Sequence, residues 1–106
     1  MNESEFIDLT DAVLARIEDA VDDAGLDADY VRNGGVLELE FDSGAKIIIN
    51  RHEPNRELWI AARSGGFHFG LQQDGRWINA RDGQEFFSAL AALISEAAGE
   101  PFAFAA

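Results

Sequence analysis

Glu18, Asp19, Asp22 and Asp23 form two i, i+4 pairs, Glu18 with Asp22 and Asp19 with Asp23. On a helix each pair stands one turn apart, close enough to share a cation or to bind two. Carboxylate oxygens are hard ligands that suit iron, manganese, calcium and magnesium and choose poorly among them. No histidine or cysteine is placed beside these four to complete a tight shell. The expected chemistry is weak, labile binding with many waters retained, which suits transient handling better than storage or redox catalysis. Asp27 and Asp29 extend the series, but Asp23-Ala24-Gly25-Leu26-Asp27-Ala28-Asp29 lacks the ligand order of an EF-hand.

The element that must position these acids is an amphipathic helix from about residue 4 to Ala24. Asn2 or Ser4 can cap it, and Gly25 can stop it. At 100° per residue, Phe6, Leu9, Val13, Leu14, Ile17, Ala20, Val21 and Ala24 share one arc. Asp8, Asp11, Glu18, Asp19, Asp22 and Asp23 fall on the other. Like charges at i, i+4 each cost roughly 0.2–0.5 kcal/mol, and acids near a helix C-terminus oppose the macrodipole. A run that weakens its own helix is a place to look for function; its plain reading is a solvated face.

Charge is distributed unevenly. Residues 1–42 hold thirteen acids against Arg16 and Arg32, whereas residues 43–106 hold seven acids against six bases. The overall charge of −12 argues against a grip on nucleic acid phosphates and favours cations or a basic protein partner. The absence of cysteine excludes disulfides, zinc ribbons and thiol chemistry. No apolar run is long enough to span a membrane, and the acidic Met-Asn-Glu-Ser-Glu start is unlike a secretory signal. The expectation is one cytoplasmic domain over residues 1–106.

After the helix, Asp27–Arg32 reads as a short strand and Asn33-Gly34-Gly35 as a hairpin turn. Val36–Phe41 alternates, with Leu37, Leu39 and Phe41 inward and Glu38 and Glu40 outward. Lys46–Asn50, Glu57–Arg63, Phe67–Phe69 and Trp77-Ile78 follow as strands. A second helix spans about Gln84–Ala98, and Pro101–Phe104 is an extended tail packed on the helices. This order predicts an α+β two-layer sandwich, with two helices on one face of a five- to six-stranded antiparallel sheet and the other face in solvent.

The register of Glu57–Arg63 turns Trp59 outward, with Arg51, Arg56 and Arg63 as flanking cations. An exposed indole among arginines is the composition of a partner hot spot; half-cover by neighbouring side chains is the plainer reading. His52 and His68 are far apart in sequence and read as ordinary strand or surface positions. Gly65-Gly66 has no following lysine and reads as a turn, not a phosphate cradle. No Ser–His–Asp set or enclosed acid pair suggests a catalytic pocket.

The acidic first helix, Asn33-Gly34-Gly35-Val36-Leu37, Lys46-Ile47-Ile48-Ile49-Asn50-Arg51, Glu53-Pro54, Leu58-Trp59-Ile60-Ala61 and Gly65-Gly66-Phe67-His68-Phe69 together resemble the bacterial frataxins of the CyaY type. The likeness runs in order along essentially the whole chain. It implies a helix–sheet–helix sandwich that binds ferrous or ferric iron weakly and acts in iron–sulfur cluster assembly. By position, it implies an iron-binding ridge of Glu18, Asp19, Asp22 and Asp23, extended by Asp27 and Asp29. It also implies partner contacts at Asn50, His52 and Trp59 with the cysteine desulfurase and scaffold machinery. Just after the helix, Ala24-Gly25-Leu26 replaces the further acid or histidine that many members carry. The expected role is an iron-linked regulator or donor, monomeric with iron-dependent oligomers as a second state. An acidic interaction module with incidental metal binding is the alternative. A ferroxidase is the weaker third reading, since no buried two-metal set is evident.

Overall fold

The computed structural model describes residues 1–105. Its elements are α1 (Glu3–Ala24), β1 (Ala28–Asn33), β2 (Val36–Phe41), β3 (Lys46–His52), β4 (Glu57–Ala62), β5 (Gly65–Leu71), β6 (Trp77–Ile78) and α2 (Phe86–Ala98). Asn2, not Ser4, caps α1: its side chain accepts from the Glu5 amide at 2.8 Å, while Glu5 accepts from the Asn2 amide at 3.1 Å. This reciprocal box satisfies two donors that a helix start leaves open. Gly25 ends α1 at φ 64°, a left-handed geometry that glycine adopts without a Cβ clash. The second helix begins two residues later than its apolar pattern suggests. Glu85 is its N-cap, accepting from the Phe87 and Ser88 amides at 2.7 and 3.0 Å.

The six strands pair antiparallel in chain order, β1 through β6. Strand β1 runs Ala28–Asn33 and β3 reaches His52, so both end later than expected; β4 stops at Ala62. These shifts keep each hairpin in register, with Asn33 opposite Val36 and His52 opposite Glu57. Leu37, Leu39, Phe41, Ile47, Ile49, Leu58, Ile60, Phe69 and Trp77 line the covered face. Phe6, Val13, Leu14, Ile17 and Val21 of α1 and Phe86, Ala89, Leu90 and Ile94 of α2 complete one core. Burying each large apolar side chain contributes roughly 1.5–3 kcal/mol, enough to hold the two layers together.

Three members of the expected apolar arc of α1, Leu9, Ala20 and Ala24, lie outside the core. Leu9 and Ala24 are exposed, and Thr10 is buried in place of Leu9. The buried stripe runs through Thr10 and Ile17, which swings position 9 to the margin. The Thr10 hydroxyl survives burial by donating to its own helix carbonyls, Phe6 at 2.9 Å and Ile7 at 3.1 Å.

The C-terminal tail packs as expected. Ser95 Oγ accepts from the Phe102 amide at 2.9 Å and donates to the Ala91 carbonyl at 2.8 Å. The Arg16 guanidinium lies 4.1 Å above the Phe87 ring and 5.8 Å from that of Phe104, and donates to the Ala105 carbonyl at 2.7 Å. Phe87 and Phe104 meet edge to face at 5.0 Å. One α1 cation thus joins α2 to the tail. Arg16→Met and Phe104→Ala should each lower stability by about 1–2 kcal/mol, and the double variant by less than their sum, because they share one contact. Urea unfolding of the four proteins measures this, and strict additivity would refute the shared clamp.

Candidate functional site: a carboxylate flank and an open sheet face

The acids of α1 form two rows, not one ridge. Asp11, Glu18 and Asp22 lie along the flank that meets the sheet edge, and Asp19 and Asp23 point away from it. On β1, alternation turns Tyr30 and Arg32 toward the helix and Asp29, Val31 and Asn33 toward the open face. Arg32 Nη2 donates to Asp11 Oδ1 at 2.9 Å, and Arg32 Nη1 to Glu18 Oε1 at 3.3 Å. Arg51, from β3, donates to the same Asp11 oxygen. Arg51 lies across Gly35, where an added Cβ would sit 2.6 Å from its Cγ; glycine there leaves room for the arm to reach α1. The Tyr30 hydroxyl donates to Asp22 Oδ2 at 2.8 Å.

The expectation of an acidic arc wholly opposed to the core is therefore corrected for Asp11 and Glu18. At 20° and 0° on the wheel they border the apolar arc, which brings them within reach of cations on the sheet. The Tyr30 hydroxyl is held above the ordinary phenol range, first by its hydrogen bond to Asp22, then by partial desolvation and the charges of Asp22, Glu18 and Asp19. This contact supports the fold up to the ordinary phenol range and is lost as pH rises through the raised folded value.

Asp19 and Asp23 make no hydrogen bond or ion pair among the described residues and are exposed. They border an open hollow with Arg16, Ala103, Phe104 and Ala105. Asp27 and Asp29 sit elsewhere, in a second hollow at the start of β1, where Glu40 and Asp42 of the neighbouring hairpin join them. Glu40 lies opposite Asp29 in the ladder, a pairing that the Gly34-Gly35 turn register would have revealed. Among the described residues, no three acidic or histidine side chains converge closely enough to hold a metal ion as they stand.

On the open sheet face, Trp59 is not a lone indole. His52 stacks on one of its faces at 3.9 Å and 11°, and His68 on the other at 4.1 Å and 7°. Cross-strand register creates this: Asn50, Trp59 and His68 stand abreast on β3, β4 and β5, while His52 is a diagonal neighbour. Both histidines lie on strands, as expected, and the stack brings together two residues that are far apart in sequence. The Trp59 indole N–H donates to Glu57 Oε1 at 2.8 Å, and His68 Nδ1 lies 4.0 Å from that oxygen. His52 Nδ1 is buried without a hydrogen-bond partner among the described residues.

The three arginines expected beside Trp59 are not there. Arg51 points to α1; Arg56 donates to the Asn2 carbonyl at 3.0 Å and approaches the Phe6 ring; Arg63 borders the α2 end of the sheet. Arg51 is an odd step from Asn50 along its strand, and alternation sends it through the sheet.

Comparison with known proteins agrees with this architecture. Residues 1–100 match the model of the frataxin-like domain. The iron-sulfur cluster assembly protein CyaY of Chromobacterium violaceum is 55% identical over 105 residues, covering 99% of each chain. That of Neisseria meningitidis serogroup B is 50% identical over 100 residues, covering 94% of this chain and 92% of the relative. Frataxin from Psychromonas ingrahamii superposes with a TM-score of 0.92 at 40% identity over the whole of both chains. A trimeric Saccharomyces cerevisiae frataxin, complexed with ferrous, superposes at 0.73 over 87% of each chain; at 24% identity that likeness concerns the fold. With its helix–sheet–helix sandwich, carboxylate-lined first helix and match over nearly its full length, the chain belongs to the frataxin-like family, among the CyaY iron–sulfur cluster assembly proteins.

Proposed function

We propose that this protein binds iron weakly at the exposed carboxylates of α1 and, in the bacterial cytoplasm, regulates iron–sulfur cluster assembly by docking on the cysteine desulfurase–scaffold complex. The observation that carries the reading is the pair Asp19 and Asp23. Their side chains make no ion pair or hydrogen bond among the described residues, although Arg32, Arg51 and Tyr30 engage the neighbouring acids. An all-oxygen donor set that does not converge fits a labile, water-rich cation handled as cargo or signal, with no resident cofactor. Asp27, Asp29, Glu40 and Asp42 offer a second such locus at the base of the first hairpin.

Trp59, with its histidine neighbours and Asn50, supplies the apolar part of the docking surface, and the anionic flank steers a basic partner toward it. The separation of the acids equally supports a second reading, an interaction module in which metal binding is incidental. A ferroxidase reading gains no support from the carboxylate geometry, and the protein is proposed to be a regulator without turnover of its own.

Anaerobic calorimetric titration with ferrous iron, alone and with the desulfurase present, separates the two readings. Iron-dependent partner affinity supports the regulator; affinity that drops with the acids yet ignores iron supports the module. Trp59→Ala should weaken partner binding by about tenfold or more, as truncation of a central aromatic usually does. Retained affinity would remove the sheet face from the interface. The two rows should also differ in stability at low salt. Asp19→Asn with Asp23→Asn should raise the melting temperature by relieving repulsion, whereas Glu18→Gln should lower it by leaving Arg32 half unpaired. Thermal unfolding at two salt concentrations checks both signs.

A further inference from the structure

The guanidinium of Arg32 occupies the position an incoming cation would need beside Glu18. Its two nitrogens span Asp11 and Glu18, seven residues apart on α1, at 2.9 and 3.3 Å. Glu18 is 19% exposed and Arg32 28%, so the contact is only partly open to water. The charged and titratable groups around it are Asp11, Arg51, Asp22 with its Tyr30 hydroxyl, and Asp19 one step further round the helix.

We propose that Arg32 is a built-in counter-ion of the carboxylate flank, which competes with divalent cations for Glu18 and so sets the flank's metal affinity and the place of first binding. The inference rests on the reading of α1 as the cation-binding surface and concerns how that surface is regulated. An arriving cation meets Asp19 and Asp23 first, because these have no internal partner among the described residues. To engage Glu18 and Asp22 it must displace one guanidinium arm and the Tyr30 hydroxyl. Both of these come from β1, an edge strand with one neighbour in the sheet. Occupation of the inner row therefore loosens the contact of β1 with α1, leaving the Arg32–Asp11 arm in place, and so links metal loading to the sheet edge. Arg32 follows Tyr30 by two residues and so faces the same side. One strand thus delivers both competitors to one helix face.

The test is titration of the full chain with Mn²⁺, an oxygen-seeking probe that needs no anaerobic handling, read by calorimetry and by NMR. Arg32→Gln is compared with Arg63→Gln. The latter makes the same change in net charge at a residue forming no ion pair among the described residues. Arg32→Gln should tighten Mn²⁺ binding by about tenfold and Arg63→Gln by less than about threefold, since a distant charge is screened by solvent and salt. Tyr30 is the one tyrosine of the chain, so its ring signals locate the ion. They should broaden at lower Mn²⁺ concentration in Arg32→Gln than in the wild-type protein. Mn²⁺ should also raise the melting temperature of that variant more than that of wild type.

Arg32→Lys, which keeps the charge but gives up the two-armed reach, should fall between wild type and Arg32→Gln, and it decides the matter if the glutamine variant does not fold. Equal tightening by Arg32→Gln and Arg63→Gln overturns the counter-ion role while leaving the cation-binding reading intact. An Arg32→Lys affinity equal to or weaker than wild type also overturns it. Failure of every protein to bind Mn²⁺ or ferrous iron overturns the cation-binding reading, and this inference with it.

Discussion

A helix with carboxylates along the border of its buried stripe can lie on a sheet only if the sheet supplies cations at the line of contact. Arg32 and Arg51 do this from β1 and β3, converging on one oxygen of Asp11, and Arg32 extends to Glu18. Partly buried carboxylates without partners would carry a desolvation penalty that the apolar contacts of Ile17 and Val21 would have to offset. Gly35 belongs to the same arrangement, because a side chain there would block the path of Arg51. The outer acids need no such support, since water solvates them.

Division of the flank into a paired row and an unpaired row gives physical content to family membership. The chain shares its fold with frataxin from Psychromonas ingrahamii over its whole length. What it makes of that fold depends on individual side chains. Tyr30 and Arg32 restrain the inner acids, and His52 and His68 cover both faces of Trp59. Both devices cover a group that would otherwise present itself fully to a visiting cation or protein. The indole N–H is likewise engaged by Glu57, so the open sheet face shows ring edges and carboxylate, in line with the half-covered indole that the sequence also allows.

Much of the architecture was legible because it rests on local patterns. Alternation in Val36–Phe41, the glycine turn before it and the stop at Gly25 each act within a few residues. What the pattern left hidden depends on partners distant in sequence. Arg32 reads as a stray base until position 11 is brought beside it, and the imidazole–indole–imidazole stack needs three strands in register. Leu9 and Thr10 were exchanged at the margin of the helical stripe, where a wheel cannot say which neighbour the sheet will reach. Asp29 continues the helix acids along the chain, but β1 alternation turns it to the opposite face toward Glu40.

The strictly sequential strand order has a bearing on how the molecule assembles. Every sheet pairing joins neighbours linked by a short turn, so β1 through β6 can zip up with little loop-closure entropy at any step. The two helices come from opposite ends of the chain, and the Arg16–Phe87 contact that joins them spans 71 of its 106 positions. Closure of the helical layer is then the one topologically distant event, and the barrier to reaching the native state should reside in that docking.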